Sequence, residues 1–78
     1  MQNETANAVL AYFADRAPIA EFDGEAVNVK LRGRLAVRVT DSAIEWHAGD
    51  HNDGPMSWTY ALKRNVAECA ALPVVDRA

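Results

Sequence analysis

The sequence has very little of what marks a disulfide-stapled or membrane-bound protein. It contains one cysteine, Cys69, so no internal disulfide can form and a disulfide-rich secreted scaffold is excluded. No apolar run approaches the roughly 20 residues that span a bilayer. Met1 to Arg16 carry Glu4 and Asp15 and lack the basic start of a secretory signal. We therefore expect a cytoplasmic protein with no membrane partner.

Signatures of catalysis are also lacking. The chain has four glycines but no Gly-rich phosphate loop, and Ser42 and Ser57 fall at predicted turn and cap positions. Cys69 is predicted on the inward side of a helix, where a thiol is inert. We expect no catalytic residue, no cofactor and no enzyme activity.

What is present describes one small globular domain. The 78 residues weigh 8.5 kDa, and a domain of this size buries only about 60% of the surface of its unfolded chain, so residues 1–78 form a single domain with one thin core. Half of the residues are hydrophobic and 24% are charged, as in ordinary globular proteins. The formal net charge of −3 has the wrong sign for a protein held on nucleic acid by its overall field.

The N-terminal segment predicts an amphipathic helix from Asn3 to Ala17. Pro18 should end it, because the residue before a proline avoids the α region. Asn7, Ala11 and Asp15 fall on the outer side. The inward side, at helical spacing, comprises Ala6, Val9, Leu10, Phe13 and Ala17.

The next segment predicts a hairpin at Asp23-Gly24, the dipeptide that a type I′ turn favours. A two-residue turn there would pair Phe22 with Glu25 and Ala20 with Val27. Phe22 would then share a face with Val27 and the apolar residues that follow it.

Alternation with the period of a half-buried strand runs from Val27 to Val39. Gly33 interrupts it and predicts either a bulge or a turn at Arg32-Gly33-Arg34 that pairs Leu31 with Leu35. After Val39 the apolar residues move from odd-numbered to even-numbered positions, and a turn at Asp41-Ser42 accounts for this change. That turn pairs three residues of one strand with three of the next: Val39 with Ile44, Val37 with Trp46 and Leu35 with Ala48.

The C-terminal segment fits two patterns. Good helix formers precede Pro73 and favour a helix from Ser57 to Leu72, and a short strand at Met56 to Tyr60 is the alternative. The expected fold is therefore α+β: a three- or four-stranded antiparallel meander with an N-terminal and a C-terminal helix packed on one face.

The other face of this sheet is expected to be open and partly basic. Arg38 should lie opposite Glu45, and the stripe has no exposed aromatic side chain on which bases could stack. Two interpretations follow, a binding patch for phosphate or an acidic partner, and ordinary solubilising charge. The polar side chains predicted to point to this open face are Asn28, Lys30, Arg32, Arg34, Arg38 and Thr40.

A polar loop follows the sheet and contains both histidines. His47 and His51 are four residues apart but fall on a strand end and a loop, so their spacing does not favour a metal site. Two acidic clusters, one around Asp23 and one at Asp50 and Asp53, could imitate phosphates for a basic partner. The predicted partner-binding residues are Lys30, Arg32, Arg34, Arg38, Glu45, His47, Asp50, His51 and Asp53.

In its small size, net acidity and lack of a catalytic motif, the chain resembles small phage-encoded inhibitors such as the anti-CRISPR proteins. No residue signature carries this resemblance. It implies a non-enzymatic inhibitor or regulator that occupies a surface of a larger protein or ribonucleoprotein complex. The alternatives are a nucleic-acid-binding module that uses the basic stripe, and a small metal-dependent enzyme that uses both histidines. A second copy on the open face would make the protein a homodimer.

Overall fold

A computed structural model describes residues 2–47, 64 and 71–77 of the chain. The elements, in order, are α1 (Gln2–Tyr12), a 3₁₀ turn (Ala14–Arg16), β1 (Ile19–Phe22), β2 (Val27–Leu31), β3 (Arg34–Val39), β4 (Ile44–Trp46) and β5 (Val74–Asp76). The described strands form one sheet in the order β1-β2-β3-β4-β5, in which the first four are antiparallel and β5 is parallel to β4. The predicted α+β class is confirmed.

The strand count differs from the prediction because β5 joins the sheet. Val74 pairs with Ile44, the Ile44 N–H donates to the Pro73 carbonyl at 2.9 Å, and the Arg77 N–H donates to the Trp46 carbonyl at 2.7 Å. The residues of β5, Val74, Val75 and Asp76, show no alternation of apolar and polar side chains, so the sequence pattern does not reveal this strand. The predicted helix from Ser57 to Leu72 lies almost entirely outside the described residues, and its alternative, a strand at Met56 to Tyr60, lies wholly outside them.

Helix α1 covers one face of the sheet but ends earlier than predicted. It stops at Tyr12 and continues as the 3₁₀ turn, and Ala17 is exposed in the left-handed region with φ 51°. Pro18 disfavours the α conformation at Ala17, so the helix tightens and ends before that residue. The buried residues of α1 are Thr5, Ala6 and Val9, and Phe13, which directly follows the helix, is buried as well.

Aromatic packing joins α1 to the sheet. The rings of Phe13 and Trp46 are stacked with centroids 6.4 Å apart, and Tyr12 meets Phe13 edge-on at 4.8 Å. Both Phe13 and Trp46 are fully buried, so the centre of the core is aromatic. The strand residues buried in the same cluster are Val27, Val29, Leu31, Ala36, Val37, Val39 and Ile44.

The first hairpin has a longer loop than predicted. Phe22 pairs with Val27 and Ala20 with Val29, so four residues, from Asp23 to Ala26, join the strands. The Asp23 carboxylate explains the loop, since its Oδ1 accepts the N–H groups of Glu25 at 3.0 Å and Ala26 at 2.9 Å. The predicted register is wrong by two residues, a shift that preserves which residues share a face.

The second hairpin turns at Arg32-Gly33. These two residues have φ values of 55° and 77°, the left-handed pair that a two-residue type I′ turn requires. The turn alternative was therefore correct, but Leu31 pairs with Arg34 and not with Leu35.

A β-bulge in β3 causes this difference. Val29 pairs with Val37 while the next residue, Lys30, pairs with Leu35, which leaves Ala36 as the extra residue. Ala36 and Val37 are both fully buried, and Leu35 shares the face of Lys30. The prediction that Leu35 belongs to the core face is wrong, because the bulge gives its place there to Ala36.

The third hairpin matches the prediction. Val39 pairs with Ile44 and Val37 with Trp46. The Thr40 N–H donates to the Ala43 carbonyl at 3.0 Å, and Thr40 Oγ1 accepts the N–H groups of Ser42 and Ala43, which closes the turn at Asp41-Ser42. The third predicted pair, Leu35 with Ala48, involves a residue outside the described part of the chain.

Candidate partner-binding surface

The sheet face opposite α1 is the candidate surface, here called the open face. Within 2–47 and 71–77, no helix or second sheet packs on it, because α1 lies on the other side and every strand belongs to the one sheet. The register assigns its residues in rows across the strands. One row contains Ile19, Lys30 and Leu35, and the next contains Glu21, Asn28, Arg38, Glu45 and Val75.

Only two of the four predicted stripe cations lie on the open face. Lys30 and Arg38 have the expected orientation. Arg32 lies in the turn between β2 and β3, and Arg34 pairs with Leu31 and so has the parity of the α1 side. The bulge adds one residue to β3, so the residues before it point to the opposite face from the one expected. The prediction of a continuous four-residue basic stripe is therefore wrong.

Arg38 is the centre of a hydrogen-bond network on the open face. Its Nη1 donates to Asp23 Oδ2 at 2.5 Å and to Asn28 Oδ1 at 3.0 Å, and its Nη2 lies 3.5 Å from Glu25 Oε2. Asn28 Nδ2 donates to the same Asp23 oxygen at 3.0 Å. The guanidinium thus ties the first hairpin loop to β2 and β3.

The network also fixes the charges of its members. Hydrogen bonds from the Asn28 amide, the Arg38 guanidinium and two backbone N–H groups hold the pKa of Asp23 well below its ordinary value. The hydrogen bond to Asp23 in turn raises the pKa of Arg38. Both groups are therefore charged at any physiological pH, and the positive charge of Arg38 is compensated locally.

Lys30, the other cation of the predicted stripe, has a carboxylate partner too. Its Nζ lies 2.7 Å from Glu21 Oε1 on the neighbouring edge strand. Since both side chains are substantially exposed, we expect this pair to contribute little to stability. It nevertheless reduces the positive charge that Lys30 presents to a phosphate.

Glu45 lies close to two arginines and a histidine. It is the strand partner of Arg38, as predicted, but the hydrogen bonds of Arg38 go to Asp23 and Asn28. Glu45 Oε1 lies 3.4 Å from His47 Nε2 and 4.0 Å from Arg77 Nε. His47 is half-buried at the end of β4, beside this carboxylate.

Carboxylates are concentrated at one end of the open face. The loops from Asp23 to Ala26 and from Thr40 to Ala43 flank an open depression, whose lining includes Phe22, Glu25, Arg38, Asp41 and Glu45. We call this region the acidic end. The sequence signals were the turn aspartates Asp23 and Asp41, but their position beside Arg38 depends on long-range strand pairing. Phe22 is 66% exposed, so the expectation that no exposed aromatic side chain lies beside the basic residues is wrong.

Three predicted site residues remain. Asp50, His51 and Asp53 lie outside the described residues. In the part of the chain that the structure describes, no group of three or more His, Cys, Asp or Glu side chains is arranged to hold a metal ion. No described helix is long and apolar enough to cross a membrane.

Comparison of the chain with protein-family models, with curated proteins and with solved structures finds no match.

Proposed function

We propose that this chain is a non-enzymatic binding protein that inhibits or regulates a larger protein or ribonucleoprotein complex by placing its open face against it. An anti-CRISPR-type blocker of a nucleic-acid-handling complex is the specific form of this proposal. The observation that carries it is the Arg38 network, which holds charged side chains of two strands and a loop in one arrangement. Groups that are already ordered lose less conformational entropy when a partner binds.

The size of the molecule supports the use of a whole face. The chain extends 28 × 28 × 22 Å, so that one broad side is comparable to the roughly 800 Å² that each partner buries in a standard interface. Within 2–47 and 71–77, one sheet covered by α1 offers little room for a large concave catalytic cleft. Binding across a surface needs no such cleft.

The rival function, a nucleic-acid-binding module on the open face, has weaker support. Lys30 lies against Glu21, and Arg38 donates to Asp23. A phosphate would have to replace these carboxylates before it gained the full charge of either cation. Direct binding of oligonucleotides at low salt would favour the rival.

Affinity capture with paired variants tests the proposed function. The tagged chain is incubated with lysate of its native host, and captured proteins are quantified by mass spectrometry. The open-face variant exchanges an ion pair, Glu21→Lys with Lys30→Glu, and keeps the net charge. The control carries Asn7→Glu with Ala11→Arg on the exposed side of α1, a helix-compatible pair that also leaves the net charge unchanged.

We expect the parent and the α1 control to recover the same large complex, and the open-face variant to recover about tenfold less of it. Amide spectra of each variant verify that it is folded. Recovery of no reproducible complex contradicts the proposed function, and equal recovery by both variants contradicts the assignment to the open face.

A further inference from the structure

The open face has an excess of negative charge. Its own strands and adjoining loops carry five carboxylates, from Glu21, Asp23, Glu25, Asp41 and Glu45. The cations described on this face or at the end of β5 are Lys30, Arg38 and Arg77, each within 4.0 Å of one of those carboxylates. Arg32 is exposed in the turn between β2 and β3, at the end of these strands opposite the loop from Asp23 to Ala26. A charged group that approaches the side of the face bearing that loop therefore meets carboxylates and an already compensated Arg38.

The negative charge is most accessible at the acidic end. The Glu25 side chain is 86% exposed, and Asp41 is exposed at the tip of the adjacent loop. Arg38 is the one cation among the described residues that line the depression, and its donors point to Asp23, Asn28 and, at 3.5 Å, the exposed Glu25 carboxylate. One guanidinium thus faces two carboxylates, while Asp41 and Glu45 also line the depression. This geometry favours an incoming cation and disfavours a phosphate.

The other row of the open face is apolar at both ends. Ile19 and Leu35 flank Lys30 across three neighbouring strands, and Ile19 is 60% exposed. Ile19 is one of two large hydrophobic side chains found exposed among the described residues, the other being Phe22. Apolar contact at this row is independent of the charges at the acidic end.

Together these observations define the chemistry of the occupant, provided that the open face is the binding surface proposed above. We propose that it docks onto a protein surface in which arginine or lysine side chains lie beside an apolar contact. The basic side chains enter the depression at the acidic end, and the apolar contact covers the row of Ile19 and Leu35. The partner is thus a basic protein surface and not the phosphate backbone of a nucleic acid.

Titration of the ¹⁵N-labelled intact chain with defined probes tests this inference. The probes are a blocked hexa-arginine peptide, a blocked peptide of alternating leucine and arginine, a blocked hexa-glutamate peptide and an oligothymidylate. We expect the two basic peptides to shift the amide signals of Gly24, Glu25, Asp41 and Ser42, and the leucine-containing peptide also to shift those of Ile19 and Leu35. The other two probes should leave these signals unchanged at low salt.

Matched charge reversals separate a local site from the general field of an acidic protein. Glu25→Lys with Asp41→Lys removes negative charge at the acidic end, whereas Glu4→Lys with Asp15→Lys makes the same change on exposed positions of the N-terminal segment. We expect the first pair to weaken hexa-arginine binding by about tenfold and the second by about twofold. The neutral pair Glu25→Gln with Asp41→Asn provides the same test with a smaller perturbation of folding.

Three results would overturn the inference: equal weakening by both lysine pairs, basic-peptide shifts confined to residues outside the open face, and oligothymidylate shifts at the acidic end. Its failure is distinguishable from failure of the proposed function. If the captured complex depends on the Glu21 and Lys30 exchange while neither basic peptide binds, the binding function stands and the basic partner is wrong.

Discussion

Arg38, next to the last residue of β3, donates from Nη1 to Oδ2 of Asp23, fifteen residues earlier in the loop that joins β1 to β2. The bond connects a central strand to the loop of the edge hairpin. It gives Arg38 a structural role on the face that the sequence pattern marks as basic. The open face is therefore a set of compensated charges, and its chemistry differs from that of a row of uncompensated cations.

The Asp23 carboxylate should matter more for stability than a comparable loop aspartate. Asp23→Ala removes the acceptor of two loop N–H groups and the partner of Arg38, so we expect a clearly lower midpoint of thermal unfolding. Asp41→Ala makes the same change of net charge in another exposed loop and should have little effect. Circular dichroism melts of the two variants provide the comparison, and equal midpoints would contradict a structural role for Asp23.

The Asp23 carboxylate also predicts that the stability of the protein falls at acidic pH. The folded-state pKa of Asp23 lies below its ordinary value of 3.8, so its contribution is fully present above that value and is lost as pH falls toward the folded-state pKa. We expect the urea midpoint to fall below about pH 5, and to fall less steeply in Asp23→Asn, which has no proton to take up there. Parallel curves for parent and variant would show that other carboxylates cause the acid sensitivity.

Because of the bulge in β3, we expect a polar substitution to be tolerated at Leu35 but not at Val37. Leu35 is half-buried on the open face, whereas Val37 is fully buried against α1. Leu35→Thr should cost at most about 1 kcal/mol of unfolding free energy, and Val37→Thr about 2 to 3 kcal/mol because it buries a hydroxyl. Urea unfolding measures both values, and a larger cost at Leu35 would mean that the bulge is absent.

Removal of a buried hydroxyl group in α1 is predicted to stabilise the protein. Thr5 is fully buried, and its Oγ1 has no hydrogen-bond partner among the described residues. Thr5→Val keeps the shape and removes the polar group, so we expect the free energy of unfolding to rise by about 1 kcal/mol. Thr5→Ser, which keeps the hydroxyl and loses a methyl group, is the matched control and should be destabilising. A less stable valine variant would show that the hydroxyl is satisfied.

The correct parts of the sequence interpretation depended on patterns that span several residues. The change of the apolar residues from odd to even positions after Val39 predicted the pairing of Val37 with Trp46, because a two-residue turn at Asp41-Ser42 places both side chains on the core face. The first part of α1 was predictable for the same reason. The buried Ala6, Val9 and Phe13 follow the period of a helix across α1 and the residue after it.

The errors came from single residues whose effect is not periodic. Nothing about Leu35 and Ala36 reveals which of the two enters the core, since both are apolar and a bulge is decided by packing against α1. Asp23-Gly24 has the composition of a two-residue turn, but the Asp23 carboxylate closes a four-residue loop instead. These two differences changed the predicted basic stripe into the compensated surface that the structure shows.

Site-specific photo-crosslinking tests the central claim, that the open face is the surface that contacts the partner. A benzophenone amino acid is placed at Leu35 on the open face or at Asn7 on the exposed side of α1, and each chain is irradiated in lysate of its native host. The account predicts a covalent adduct with one large-complex subunit from the Leu35 position and none from the Asn7 position. An adduct formed from the Asn7 position alone would contradict it.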